Sequence, residues 1–207
     1  MTRFFTADQH FGHTNILKFE PNRLHQNVDD MNSAIVDAWN AVVTDKDMVY
    51  CLGDMSFKLP ILREMLRFLN GQKVLVVGNH DPFFKDMASG DKKIVEVARK
   101  KAIASGFLDA HMTLELEISG IGLVKMSHFP YFPQNTEGLE NYELRCRAQR
   151  PVCGNESLLL HGHVHSQWDV RQDAGLPPQV NVGIDVWNLR PVSEEEIVAK
   201  FSEIQHA

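Results

Sequence analysis

Seven side chains able to hold a metal ion fall in five short clusters along this sequence. They are Asp8 and His10 in TADQHFG, Asp54 in CLGDM, Asn79 in VVGNHD, His128 in KMSHFP, and His163 and His165 in LLLHGHVH. All offer a hard oxygen or an imidazole nitrogen, and none a thiolate. Two cations a few ångströms apart need a bridging carboxylate and about three further protein ligands each, with room for water and substrate. The donor types and their number therefore read as a two-metal hydrolytic centre. In G-H-V-H the histidines are two residues apart, so on an extended segment both would point the same way and reach adjacent metals.

The elements that must position these clusters are legible as alternating patterns. Residues 3–7 (RFFTA), 47–53 (DMVYCLG) and 73–77 (KVLVV) read as strands, and the last is apolar throughout, as a strand covered on both faces would be. A helix is expected over 28–43, with Asp29 or Asp30 as N-cap; another opens at Pro60 and is closed by Gly71, and a third spans 91–104. Residues 113–127 read as two strands around Gly120, with further strands at 157–161 and 179–184. Ser193 followed by Glu194, Glu195 and Glu196 makes a capping box, and Val192 and Ile197 occupy the staple positions, so a C-terminal helix is expected. Every ligand cluster follows an apolar run, which is where open α/β sheets bind ligands. Residues 130–156 form the one long irregular stretch between two clusters and are read as a specificity loop within a single domain over 1–207.

The ordered series D-x-H, G-D, G-N-H-D, H, G-H-x-H resembles the calcineurin-like metallophosphoesterase superfamily. TADQHFGHTNI and NVGIDVWNLRPVS are further similar to its small bacterial and phage members. The resemblance implies a four-layer αββα sandwich with mixed sheets. It places Asp8, His10, Asp54 and His165 on one divalent cation and Asp54, Asn79, His128 and His163 on the other, with Asp54 bridging. Manganese is the first expectation for both cations, and iron, zinc, nickel or cobalt suit the same donors. The resemblance also implies two catalytic residues: His80 over the phosphate, assisting the leaving oxygen, and Asp81 holding the His80 ring.

Other residues are weighed against plainer roles. His13, Arg145 and Arg147 are candidate substrate contacts; His13 is as readily a loop hydrogen bond, and Arg145, Arg147 and Arg150 as readily solvated ion pairs with Glu140 and Glu143. His161 reads as a core histidine or one supporting the ligands from behind, Asp185 as a carboxylate orienting a ligand histidine, and Cys51 as a small core hydrophobe. Trp168 and Trp187 are expected in the core rather than stacked on a base.

The chain has 207 residues, with 27 acidic against 21 basic side chains and a net charge of −6. That balance does not favour avid duplex binding, so nucleic acid enters only as a substrate. The expected substrate is a small, nucleotide-like phosphodiester or phosphomonoester, ahead of a phosphoprotein. A single-strand nuclease is the alternative, and the arginines near 145–150 would be its basic track. A non-catalytic scaffold of this fold would be expected to have lost a ligand or the G-N-H histidine, and this chain keeps both. Three cysteines without C-x-x-C spacing, no leader pattern and no apolar run near the roughly 20 residues of a membrane span point to a cytoplasmic protein with reduced thiols.

Overall fold

The computed structural model describes residues 1–133 and 146–206. In chain order the elements are β1 (Arg3–Thr6), α1 (Ile16–Phe19), α2 (Val28–Asn40), β2 (Met48–Cys51), α3 (Leu59–Leu66), β3 (Gln72–Val76), α4 (Phe84–Met87), α5 (Lys92–Ile103), β4 (Asp109–His111), β5 (Thr113–Ile118), β6 (Gly122–Ser127), β7 (Leu158–His161), β8 (Val170–Arg171), β9 (Gln179–Asn181), β10 (Val192–Ser193) and α6 (Glu194–Gln205). They build two five-stranded mixed sheets. The first runs β10-β1-β2-β3-β4, parallel except for β10; the second runs β5-β6-β7-β9-β8, with β6, β7 and β9 parallel. A parallel bridge between Ala7 and Gly183 ties the sheets together beside the strand ends.

Alternation along the strands sorts the core into two layers. Phe4, Val49, Cys51, Leu75 and Val77 face a cluster with Met31, Ile35 and Trp39 of α2, Leu62 and Leu66 of α3, and Ala98 and Ala102 of α5. Phe5, Ala7, Leu52 and Val76 point the other way, onto Val124, Met126, Leu158, Leu160 and Val180 of the second sheet, and Ile197 of α6 closes that layer. Each fully buried aliphatic side chain contributes about 1.5–3 kcal/mol, so these two layers hold the strand ends in register. The opposite face of the second sheet is polar and still buried: Lys125 donates to Glu156 (3.0 Å) and to the Val152 carbonyl (2.9 Å), and Tyr131 also bonds Glu156.

Local chemistry explains the helix limits. α2 is capped by Asn27, whose side chain accepts from Asp29 and Asp30 N–H at 2.9 Å; the two aspartates expected as caps lie in the first turn, where their charge favours the positive helix end. Pro60 sits in the first turn of α3, which ends at Leu66, and Gly71 instead turns the chain into β3. The expected capping box is present, with Glu196 N–H donating to Ser193 Oγ and Ser193 N–H to Glu196 Oε2. Among the described residues, no helix is long and apolar enough to cross a membrane.

Candidate metal centre

All five clusters converge at the carboxyl ends of β1, β2, β3, β6 and β7, where both sheets end on the same side. The backbone there is unusual. Asp8, His10, Asp54, His163 and His165 have φ of +64°, +51°, +55°, +73° and +49°, a left-handed region that side chains rarely adopt and that structures retain at functional sites. Hydrogen bonds hold it in place: Asp8, His10 and Phe11 N–H donate to the Gly53, Asp54 and Met55 carbonyls at 2.8–3.0 Å, knitting the β1 and β2 loops together. The histidines of G-H-V-H accordingly lie past the end of β7 rather than on an extended strand. The ring of His165 stacks on His10 at 5.0 Å and that of His163 meets His128 at 5.2 Å, so the left-handed turns, not strand alternation, send them to different neighbours.

Asp54 lies at the middle. Its Oδ2 is 3.6 Å from His10 Nε2 and 3.4 Å from His128 Nε2, and its Oδ1 accepts the His80 N–H at 2.8 Å. One oxygen therefore faces both groups of imidazoles, while the second is engaged by the backbone. Asp8, His10 and His165 form one triad whose ligand atoms lie within 4.8 Å of one another; Asp8, Asp54 and His128 form a second, with Asp8 common to both. The Asp8 carboxylate is fixed by the His163 N–H, 2.9 Å from Oδ2. Asn79 Oδ1 lies 3.1 Å from His128 Nε2.

The histidines are aimed from behind. His128 Nδ1 meets the Leu52 carbonyl at 2.8 Å, and His165 Nδ1 meets Asp185 Oδ2 at 2.8 Å. Both acceptors require the proton on Nδ1, which turns Nε2 towards the centre, as in metal sites with oriented ligands. Among the described residues neither ring nitrogen of His10 has a hydrogen-bond partner, although the residue is only 2% exposed. A buried imidazole left this way suits a cation better than a water-free core. Burial pushes His10 and His163 well below the ordinary imidazole range, so both stay neutral, the form that ligates. Burial alone would raise the Asp54 carboxyl, but the surrounding imidazoles, His128 first, hold it well below the carboxylate range. The donor set and its geometry thus fit divalent cations.

Asp81 departs from the expected arrangement. Its carboxylate accepts N–H groups from Gly78 (2.8 Å), Asp54 (3.1 Å) and Met55 (2.9 Å), so it braces the β2 and β3 loops instead of holding the His80 ring. The His80 ring is 43% exposed at the rim, with Nε2 4.0 Å from Asp54 Oδ2. His13 stands beside it, its ring 5.4 Å from that of His10. Arg145 and residues 134–144 of the proposed loop lie outside the described residues. Arg147 places its guanidinium 4.6 Å over the Phe132 ring, and Arg150 is buried and donates to the Pro130 and Tyr131 carbonyls, so these two arginines pack against the base of that loop. His161 is fully buried against Trp168, and Trp187 donates to the Asn181 carbonyl at 2.8 Å.

Two glycines are required by close approach. A Cβ on Gly78 would collide with the Asp54 carboxylate and the His128 ring, and one on Gly162 with Ala7 and the Asp8 carboxylate. Sequence reasoning missed Arg23, which is buried and donates to Asp185 and to the Asp8 and Gln9 carbonyls. It also missed Glu20, which accepts from Ser166 next to His165. Both sit in a short polar stretch with no periodicity, and only the fold brings them to the site.

The sequence pattern of the calcineurin-like phosphoesterase superfamily domain matches residues 5–191, and the chain belongs to that superfamily. It is 46% identical to an uncharacterized protein of Methanocaldococcus jannaschii over 202 residues, covering 94% of this chain and 88% of that one. The Gene 66 protein of Mycobacterium phage L5 is 29% identical over 208 residues, covering 94% of this chain and 91% of the phage protein. Among solved structures, a protein of unknown function from Aquifex aeolicus superposes with a TM-score of 0.64 at 25% identity, covering 95% of this chain and 97% of that one.

Proposed function

We propose that this member of the calcineurin-like phosphoesterase superfamily hydrolyses a small phosphodiester or phosphomonoester, nucleotide-like in chemistry, with two divalent cations. Asp8, His10, Asp54 and His165 would hold one, and Asp54, Asn79, His128 and His163 the other, with manganese the first choice. The observation that carries this reading is Asp54 Oδ2, placed between the Nε2 atoms of His10 and His128. Bound there, a cation pair would supply Lewis acidity that activates water and neutralises phosphoryl charge.

The chain's own contribution is orientation. Asp185 and the Leu52 carbonyl set the tautomers of His165 and His128. Asp54 Oδ1 anchors the His80 backbone, leaving its ring at the rim to stabilise charge on the ester or give a proton to the departing oxygen. The acidic balance of the chain supports a small substrate over a polyanion.

The test is a substrate panel on chelated and manganese-restored protein: p-nitrophenyl phosphate, bis-p-nitrophenyl phosphate, cyclic nucleotides and short single strands. Metal-dependent turnover of a small ester is expected. Activity confined to the single strands, falling steeply with salt, would replace the reading with a nuclease.

A further inference from the structure

Phe57 is an aromatic side chain in the wrong place for packing. It is 40% exposed, yet its ring lies 4.3 Å from that of His80, 4.6 Å edge-on to His13 and 5.7 Å from His10. Phe19, 67% exposed, extends the same collar, 6.3 Å from His13. A single exposed apolar side chain needs no explanation; two, joined through histidines to the rim of one polar centre, do. The presentation is also fixed. The Met55 N–H donates to Asp81 at 2.9 Å, Ser56 Oγ donates to the Phe11 carbonyl at 2.8 Å, and the Phe11 N–H donates to the Met55 carbonyl at 2.8 Å, so the backbone immediately before Phe57 is tied down.

We infer that Phe57, flanked by His13 and Phe19, is the subsite for a planar aromatic or heteroaromatic ring carried by the phosphate ester. The inference rests on the phosphoesterase reading and extends it to the substrate's organic part. A phosphoryl group bound beside His80 would leave the rest of its ester at the rim, where the Phe57 ring lies 4.3 Å from that of His80. The Phe57 ring offers no hydrogen-bonding group of its own, whereas a planar ring can stack on it or meet it edge-on. His13, 4.6 Å edge-on to Phe57, supplies a second ring beside it.

Competitive inhibition of bis-p-nitrophenyl phosphate hydrolysis by the manganese-loaded enzyme tests this with matched pairs. Phenylphosphonate and methylphosphonate differ only in a ring next to phosphorus; adenosine monophosphate and ribose 5-phosphate differ in a ring one sugar away. In the wild type the ring-bearing member of at least one pair should bind on the order of tenfold more tightly, the size one stacked ring gives. The pair that shows the gap tells whether the ring is an aryl group on phosphorus or a nucleobase. Phe57→Ala should close the gap by weakening only the ring-bearing inhibitor, and Phe57→Leu, which keeps apolar bulk, should close most of it. Metal content and thermal unfolding of both variants, measured alongside, should match wild type. An active wild-type enzyme with no gap in either pair, or a gap that survives in both variants, overturns this inference alone. A wild type that hydrolyses no phosphate ester overturns it together with the phosphoesterase reading.

Discussion

Arg23 and Asp185 form a two-point ion pair with both side chains fully buried: Nε reaches Oδ1 at 2.7 Å and Nη2 reaches Oδ2 at 2.9 Å. The same carboxylate holds His165, and the same guanidinium donates to the backbone carbonyls of Asp8 and Gln9. One arginine thus braces both the ring of one candidate ligand and the left-handed backbone of another. Asp185 is held down to a pKa of about 2; burial would raise it, and the hydrogen bonds from His165 and Arg23 outweigh that.

Arg23→Met should therefore do two things. Leaving Asp185 buried without its cation costs about 3–5 kcal/mol of stability, read by denaturant unfolding. Loss of the brace behind His165 should weaken metal affinity by about 10–100-fold, read by competition with a chelator. Arg23→Lys keeps the charge and loses the fork, and should fall between. Wild-type metal affinity in Arg23→Met would remove Arg23 from the account of the site.

Asp81 and His80 should separate on mutation. Asp81→Ala leaves three buried N–H groups without their acceptor, each costing about 1–3 kcal/mol, so the protein should be strongly destabilised. His80→Ala touches an exposed ring and should leave stability near wild type. If Asp81 acted only by holding the His80 ring, both variants would be stable and equally slow.

Most of what was legible in the sequence is periodic or punctuated. The runs before Asp8, Asp54 and Asn79 are strands because their apolar faces fill two layers, and Ser193 with Glu196 announces a helix by its own chemistry. The candidate donors were legible because few other chemistries would need Asp, Asn and His together in this order. Strands of two or three residues such as β4, β8 and β10 carry too little pattern to be seen. Arg23 and Phe57 were invisible for a different reason: their roles come from what the fold places beside them. The bracing by Asp81 was not legible because it runs through backbone N–H groups, which no side-chain motif displays.

Acid should weaken the C-terminal capping box. Glu196 has a pKa of about 2 in the fold against an ordinary 4.5, held down first by the Arg190 hydrogen bonds, against burial, and then by Ser193. A depressed carboxyl stabilises the fold above its unfolded pKa, and that contribution is lost as pH falls from about 4.5 to about 2. Glu196→Gln should be less stable than wild type at neutral pH, and the difference should shrink through that window. A difference independent of pH would show that the charge is immaterial.

His80→Ala should hold its metal and lose turnover by about 10²–10⁴-fold if the ring acts as a general acid. The loss should be smaller with p-nitrophenolate than with an alkoxide leaving group, because the better leaving group needs less protonation. Equal losses would assign the ring to charge stabilisation.

If Asp54 is shared by two cations, as its Oδ2 between His10 and His128 suggests, its loss should release both. Elemental analysis of manganese-dialysed protein measures it directly, comparing wild type with Asp54→Asn. Two ions per wild-type chain, and the loss of both from tight binding in the variant, are expected. Two ions retained by Asp54→Asn, or a wild type that binds fewer than two, would contradict that sharing.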